Sequence, residues 1–245
     1  MYYQLADSNL RIAGSMHLIP AGRQLPMWVP QACQWSHRLF VEHDNDPSIF
    51  TLPPGARASA NVPVDMWKRI GDLLYGQQLD DLKLWAVCVR LAFRDPSGYA
   101  QGVEPFLRQF AAEKGRAIEF LESPAEFATL LDDVDSSVIV STMPPMLEEE
   151  APRRNLKLIN DMYEAWYQSD VATFDRVYLS TALMKIAVLR AAMIDRRNEN
   201  WVPKIESLLP NSQNTLIVVG AGHLAGDQGM LSLLARRGIG SRLLA

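Results

Sequence analysis

The sequence predicts an α/β protein: a central mixed sheet with flanking helices and a helix-rich middle segment. Short apolar runs stop abruptly at glycine or acidic residues, as at Leu10–Ala13 before Gly14 and Leu216–Val219 before Gly220. Between such runs lie longer stretches whose apolar residues recur three and four apart, the period of a helix that buries one face. The two patterns alternate along the chain, the order that lays helices against a sheet. The 245 residues fit one large domain or two small ones. No fixed-period repeat or low-complexity segment divides them, so residues 1–245 read as a single domain.

In chain order, Leu10–Ala13 is the first strand. Pro20, Gly22, Pro26 and Pro30 make a loop, and residues 31–37 allow one or two helical turns. RLFVE, Arg38 to Glu42, reads as a second strand ending in His43, Asp44 and Asn45. Pro53, Pro54 and Gly55 mark another loop. Residues 64–93 look largely helical, with a break near Gly76. A helix over 103–114 precedes a strand, AIEFL, Ala117 to Leu121. Ser123-Pro124-Ala125-Glu126 is a capping box with proline at the first helical position, so a helix starts there and runs to about Leu131. Val138–Thr142 stays open: its β-branched residues favour a strand, but Pro144 and Pro145 follow at once. Residues 154–168 are helical by pattern, Asp170 can cap another helix, and 179–196 form one long amphipathic stretch. Residues 201–209 continue helical after Asn198. Leu216–Val219 is the last strand, and a helix over 227–237 closes at Gly238.

The formal charge of −4 is mild, so nothing points to a nucleic-acid partner. MYYQLADSNLR has neither the basic nor the apolar region of an export signal. The expectation is a cytoplasmic protein if that start is native, and a periplasmic or exported one if a signal was removed. No stretch reaches the roughly 18 apolar residues of a membrane span; Lys185 and Arg190 interrupt the best, Ala182–Met193. Cys33 and Cys88 lack CxxC spacing and read as buried thiols, or as one disulfide in an exported protein. There is no HExxH helix, no GxSxG elbow and no P-loop.

One pattern occurs twice. LRIAGSMH near the start and LIVVGAGH near the end each run a strand into Gly-x-x-His. Glycine permits a sharp turn and close backbone approach where the strand stops. His17 and His223 then project at the carboxyl edge of the sheet, where open α/β sheets bind ligands. Imidazole is a common metal ligand and general base. If the first and last strands are neighbours, both histidines reach one site, within roughly 10 Å, as shared ligation requires. VVGAGHLAG also resembles a dinucleotide-binding turn, but no acidic residue follows at the required distance and the chain ends before a further βαβ unit.

The chain resembles the TraB/PrgY/GumN family, which includes the Tiki proteins. The resemblance rests on GSMH (Gly14 to His17), LFVEHD with Glu42, the segment GVEPFLRQFAAEKGRAIEFLES with Glu122, EAWYQSD with Ser169 where glycine is usual, RNENW (Arg197 to Trp201), and VGAGHLAGDQGMLSLLARRG. It covers nearly the whole chain. It implies a metal-dependent hydrolase, peptidase-like, with a divalent transition metal (Mn, Co or Zn) and a peptide or small-molecule substrate. The alternative is a non-catalytic peptide-binding or regulatory module.

On that reading His17 and His223 are metal ligands. Glu42 is a third ligand or the general base, against the plain reading of a surface charge at a strand end. Glu122 is a catalytic carboxylate, or else one that interacts with a helix start. Arg197 orients a substrate carboxylate or an oxyanion, or forms a buried salt bridge to Glu42 or Glu122. Asn198 positions Arg197 or bonds to substrate. Gly14, Gly220 and Gly222 act through backbone shape. Arg196 reads as solvated. His37 and His43 are left out, because side chains of adjacent strand residues such as Glu42 and His43 point to opposite faces.

Overall fold

The structure is a computed structural model that describes every residue but Asn45, so the Asn45 end of the expected second strand lies outside the described residues. Its frame is a six-stranded mixed sheet formed by β1 (Tyr2–Leu5), β2 (Leu10–Ser15), β4 (Arg38–Val41), β6 (Ile118–Phe120), β7 (Thr215–Gly220) and β8 (Ser241–Leu243), in the order β6-β4-β7-β2-β1-β8. A small sheet pairs β3 (Leu18–Pro20) with β5 (Tyr99–Gln101). The α/β class read from the sequence is therefore correct. β6, β4, β7 and β2 run parallel, while β1 and β8 add an antiparallel edge. Every residue of β7 is buried, as expected of a central strand covered on both faces.

The four parallel strands end at one edge. Ser15 of β2 lies opposite Gly220 of β7, and Val41 of β4 lies opposite both Val218 and Phe120. The residues just past those ends are His17, Glu42, Glu122 and His223. The strands carrying the two Gly-x-x-His motifs are direct parallel neighbours. They are not the outermost strands in sequence, because β1 and β8 lie beyond them and were not expected.

The helices are α1 (Trp28–Trp35), α2 (Val64–Leu73), α3 (Leu84–Ala92), α4 (Val103–Glu113), α5 (Pro124–Asp132), α6 (Ser136–Ser141), α7 (Ala151–Tyr167), α8 (Val171–Leu179), α9 (Ala182–Lys185), α10 (Ala187–Arg190), α11 (Arg196–Leu208) and α12 (Met230–Arg236). The Ser123 capping box forms as the sequence predicts, with both reciprocal bonds present. Asp170 caps α8 by accepting from the Thr173 amide. Ser169, just before it, has φ +56°. That left-handed conformation is the one for which glycine is preferred after a helix, which accounts for the glycine expected there.

Several expectations need correction. The break between α2 and α3 is wide, running from Leu74 to Lys83. Val138–Thr142 is no strand: Asp135 caps a short helix that ends before the prolines. The stretch 179–196 is not one helix but α9, α10 and a π-helical turn at Ala191–Asp195. The helix expected over 201–209 is present but starts earlier, because α11 begins at Arg196 and runs through Asn198. The last helix begins at Met230, with the chain turning through 227–229 and Gly238 taking φ +79° beyond its end.

Two apolar clusters fill the molecule. One lies about the sheet, with Leu5, Ile12, Leu39, Trp166, Trp201 and Ile217 among its most buried members. The other lies within the helix-rich middle, around Ile70, Val87, Leu91 and Met143. Cys33 and Cys88 are free thiols; burial pushes Cys33 up to about 12 and Cys88 up to about 11. Among the described residues no helix is long and apolar enough to cross a membrane.

Candidate functional site

The site gathers at the carboxyl edge of the parallel strands. Pairing of β4 with β6 continues past their ends: the Leu121 amide donates to the Val41 carbonyl, and Glu122 to that of Glu42, both at 2.9 Å. Glu42 and Glu122 are thereby held side by side. From the helical side, α11 presents Arg197, Asn198 and Trp201, all buried. The π-helical turn directly before it changes the winding at the point where these three are aimed at the sheet, a usual place for such turns.

Arg197 sits at the centre. Its Nε donates to Glu122 Oε1 at 2.8 Å, and its Nη2 donates to both Glu122 Oε1 and Glu42 Oε2. Its Nη1 donates to the Met193 carbonyl at 3.2 Å and to His223 Nε2 at 3.1 Å. A guanidinium has five N–H donors, and all five are used. The expected role of orienting a substrate carboxylate or oxyanion does not fit that accounting; the salt bridge does, and to both glutamates at once. The rings of Trp201 and Phe127 lie 4.6 and 4.8 Å from the guanidinium carbon, so the cation is also sandwiched by π faces.

Asn198 serves His223 and not Arg197. Its Nδ2 donates to the carbonyls of His223 at 3.2 Å and Gln228 at 2.9 Å. That turns Oδ1 toward His223 Nδ1, 2.8 Å away. Nδ1 therefore carries the proton, and Nε2 bears the lone pair that accepts from Arg197. Burial, above all, lowers His223 to about 3, so the ring is neutral.

His17 is secured in the same way from the opposite side. The amides of Gly102 and Val103 donate to the carbonyls of His17 and Met16, clamping the turn onto the start of α4. From the first turn of α4, Glu104 meets His17 Nδ1 at 2.9 Å and accepts from Ser15 Oγ at 2.8 Å. The His17 side chain is 66% exposed to the cleft. Crowding by protein atoms would lower its proton affinity, but Glu104 prevails and lifts it to about 9. Sequence reasoning missed Glu104. Its only signal was a carboxylate two residues after glycine at a helix start, which is ordinary.

Gly220 lies between these groups. A Cβ there would fall 3.3 Å from Glu42 Oε1, 3.4 Å from His17 Nε2 and 3.7 Å from His223 Cδ2. The two histidines thus flank one methyl-sized space, well inside the separation of roughly 10 Å allowed for a shared ligand. Gly220 is needed for that space, Gly14 and Gly222 for close packing elsewhere, and none of the three for an unusual backbone, since none has a positive φ. A Cβ on Gly14 would stand 2.9 Å from Ala221 Cα, and one on Gly222 only 2.3 Å from Tyr178 Cζ. Tyr178, on α8, is a second residue that the sequence did not reveal; burial first, and the charge of Glu42 next, hold its phenol above the usual tyrosine range.

Burial would raise the carboxyl of Glu42, but Arg197, and after it charged His17 and the Gly220 amide, hold it well below the usual range. Its Oε1 accepts that amide at 2.6 Å and lies 3.8 Å from His223 Nε2. Glu122 is shifted the other way, upward, by burial, with Arg197 opposing; its Oε2 accepts from Trp201 Nε1 at 3.2 Å. His43 belongs nearer the site than expected. β4 stops at Val41, strand alternation no longer applies, and one ligand atom from each of Glu42, His43 and Glu122 lies within 4.8 Å of the others. The two carboxylates of that trio already share Arg197, and the His43 ring stacks on Phe127 at 4.6 Å.

The donor set around Gly220 has the chemistry of a divalent-ion site. His17 Nε2 and one remaining lone pair of Glu42 Oε1 fit as ligands, and each motif histidine has its Nδ1 engaged by an outer acceptor, the arrangement that orients metal-ligating histidines. His223 Nε2 has a single lone pair, which Arg197 occupies; it fits once that hydrogen bond is released.

The fold and site define an α/β protein with two histidines, two glutamates and a buried arginine at one sheet edge. The chain belongs to the TraB/PrgY/gumN family, whose pattern it matches over residues 4–241. No curated protein and no solved structure matches it.

Proposed function

We propose that this protein is a metal-dependent hydrolase with a peptidase-like cleft. The observation that carries the reading is the convergence of His17 Nε2, His223 and Glu42 Oε1 on the space above Gly220, with both Nδ1 atoms fixed from outside. His17, His223 and Glu42 would hold the ion, in keeping with Mn²⁺, Co²⁺ or Zn²⁺. When bound, it would supply Lewis acidity and a lowered water pKa.

The chain's own groups take distinct parts. Glu42 is ionised and too acidic for a good base near neutral pH, so it serves as ligand. Glu122 and Trp201 hold Arg197, and Arg197 in turn holds Glu42. Asn198 fixes the His223 tautomer, and Glu104 orients His17. On this reading Glu122, Arg197 and Asn198 position other groups and do not touch substrate.

A non-catalytic peptide-binding module is the second reading. It is favoured by the Arg197 hydrogen bond to His223 Nε2, which leaves a built-in cation where an ion would have to compete. The test is calorimetric titration with MnCl₂, CoCl₂ and ZnCl₂ of wild type and the His17→Ala/His223→Ala double variant, followed by a quenched-fluorescent peptide pool. Binding lost in the variant, with metal-dependent cleavage in wild type, is the expected result. Peptide retained but uncut favours the second reading, and equal metal binding by both proteins ends the first.

A further inference from the structure

A cavity of about 90 Å³ opens beside the residues proposed as ligands, with His17 and Glu42 in its wall. Its apolar surface comes from Val41, Leu107, Ile118 and Val218. Val41 and Val218 are register partners on neighbouring parallel strands, and Ile118 pairs with Leu39, two residues before Val41. Side chains two apart on a strand share a face, so these three form one patch of the sheet. Leu107 reaches that patch from α4, the helix that also carries Glu104.

The polar groups of the wall are already paired. Glu104 meets His17 Nδ1 at 2.9 Å, Arg197 holds Glu42, Arg108 meets Asp44 at 3.3 Å, and His43 Nδ1 donates to the Asp44 carbonyl at 2.8 Å. A charged substrate side chain would have to break one of these pairs or lie unpaired on the apolar floor, and either is costly. An aliphatic side chain breaks none. It gains from covering Val41, Leu107, Ile118 and Val218, about fourfold in affinity for each methylene buried. Volume sets the upper limit. An apolar cavity of about 150 Å³ accepts a benzene ring, so one of about 90 Å³ accepts a branched aliphatic group and refuses an aromatic one.

We propose that this cavity is the specificity pocket of the cleft: it takes one uncharged aliphatic side chain of the substrate, of about valine size, and Val41, Leu107, Ile118 and Val218 set the preference. The proposal rests on the reading of the cleft as a peptide site, but needs neither metal nor cleavage. The test uses metal-free, full-length protein with methyl-labelled isoleucine, leucine and valine, titrated with the N-acetyl amides of valine, alanine, serine and phenylalanine. The expected result is a saturable shift of the Leu107, Ile118 and Val218 methyls with N-acetyl-valinamide, and binding about tenfold weaker for the other three amides. In Leu107→Ala, which enlarges the cavity, the order of valine and phenylalanine should invert. Ile118→Phe, at a half-buried position on the edge strand β6, should fill the cavity and abolish the valine preference. A merely structural role for these residues would weaken all four amides alike. Equal affinity for valine and phenylalanine in wild type, no shift of these methyls, or an unchanged preference in both variants would overturn the proposal. Peptides cleaved under metal with no preference for an aliphatic residue would overturn it too and leave the hydrolase reading standing. N-acetyl-valinamide bound here, with every peptide left uncut when metal is added, would end the hydrolase reading and leave this one.

Discussion

Arg197 is where the electrostatics of the site are decided. It neutralises two glutamates that are otherwise buried, at 12% and 5% side-chain exposure. Removing one partner of such a cluster leaves uncompensated charge, so Arg197→Met should cost about 3–5 kcal/mol in urea unfolding. Arg197→Lys should recover little, because an ammonium cannot replace a planar fork with five donors. The pH dependence follows from His223. Its folded value is about 3 against an ordinary 6.5, so between those values the unfolded chain takes up a proton that the folded one refuses. Its stabilisation is complete above about 6.5 and is lost as the pH falls, at no more than about 1.4 kcal/mol per pH unit. His223→Gln can keep both hydrogen bonds without titrating, and should flatten the unfolding free energy between pH 6.5 and 5, above the ordinary glutamate value. An unchanged slope in that variant would count against a neutral His223.

Among the elements, the start of α4 is the most exacting contact. A Cβ on Gly102 would fall 1.7 Å from the Met16 carbonyl oxygen, which the Val103 amide needs as its acceptor. Gly102→Ala must push α4 away from the His17 turn, at a cost of about 1–3 kcal/mol or more. It should also part Glu104 from His17, seen as a fall in the His17 pKa by NMR. Ser123→Ala makes the useful contrast. It removes the capping box of α5 and should cost about 1 kcal/mol, while leaving the His17 titration where it was.

On the scale of the whole molecule, parallel strands make chain ends meet. Residues 17 and 223 are far apart in sequence, yet β2 and β7 are neighbours in full register. A ligand that binds only this assembled edge must stabilise the fold, by about 2.7 kcal/mol at a hundredfold excess over its Kd. Under the proposed function, the chosen metal should raise the melting temperature of wild type and leave the His17→Ala/His223→Ala variant unmoved. His17 is protonated up to about pH 9, so binding near pH 7.5 should release about one proton. Heats compared in buffers of different ionisation enthalpy measure it; no release would exclude His17 as a ligand.

By itself the sequence determined the α/β class, the strands at Leu10 and Leu216, the caps at Ser123 and Asp170, and His17, Glu42, Glu122, Arg197, Asn198 and His223 as residues gathered at the site. These are legible because periodicity, capping and glycine placement act over a few residues. The length of the helix through Asn198, the helical state of 136–141 and the breaks within 179–196 were not legible, because packing against distant elements overrides weak local preference. The chemistry divides in the same way. Composition supplied histidines, glutamates and an arginine, but only the tertiary structure decided that Arg197 spends all its donors on protein partners, that Asn198 sets the His223 tautomer, and that Glu104 and Tyr178 belong to the site. A hydrogen bond depends on where two groups meet in space, and the pairs Asn198–His223 and Arg197–Glu42 are 25 and 155 positions apart along the chain.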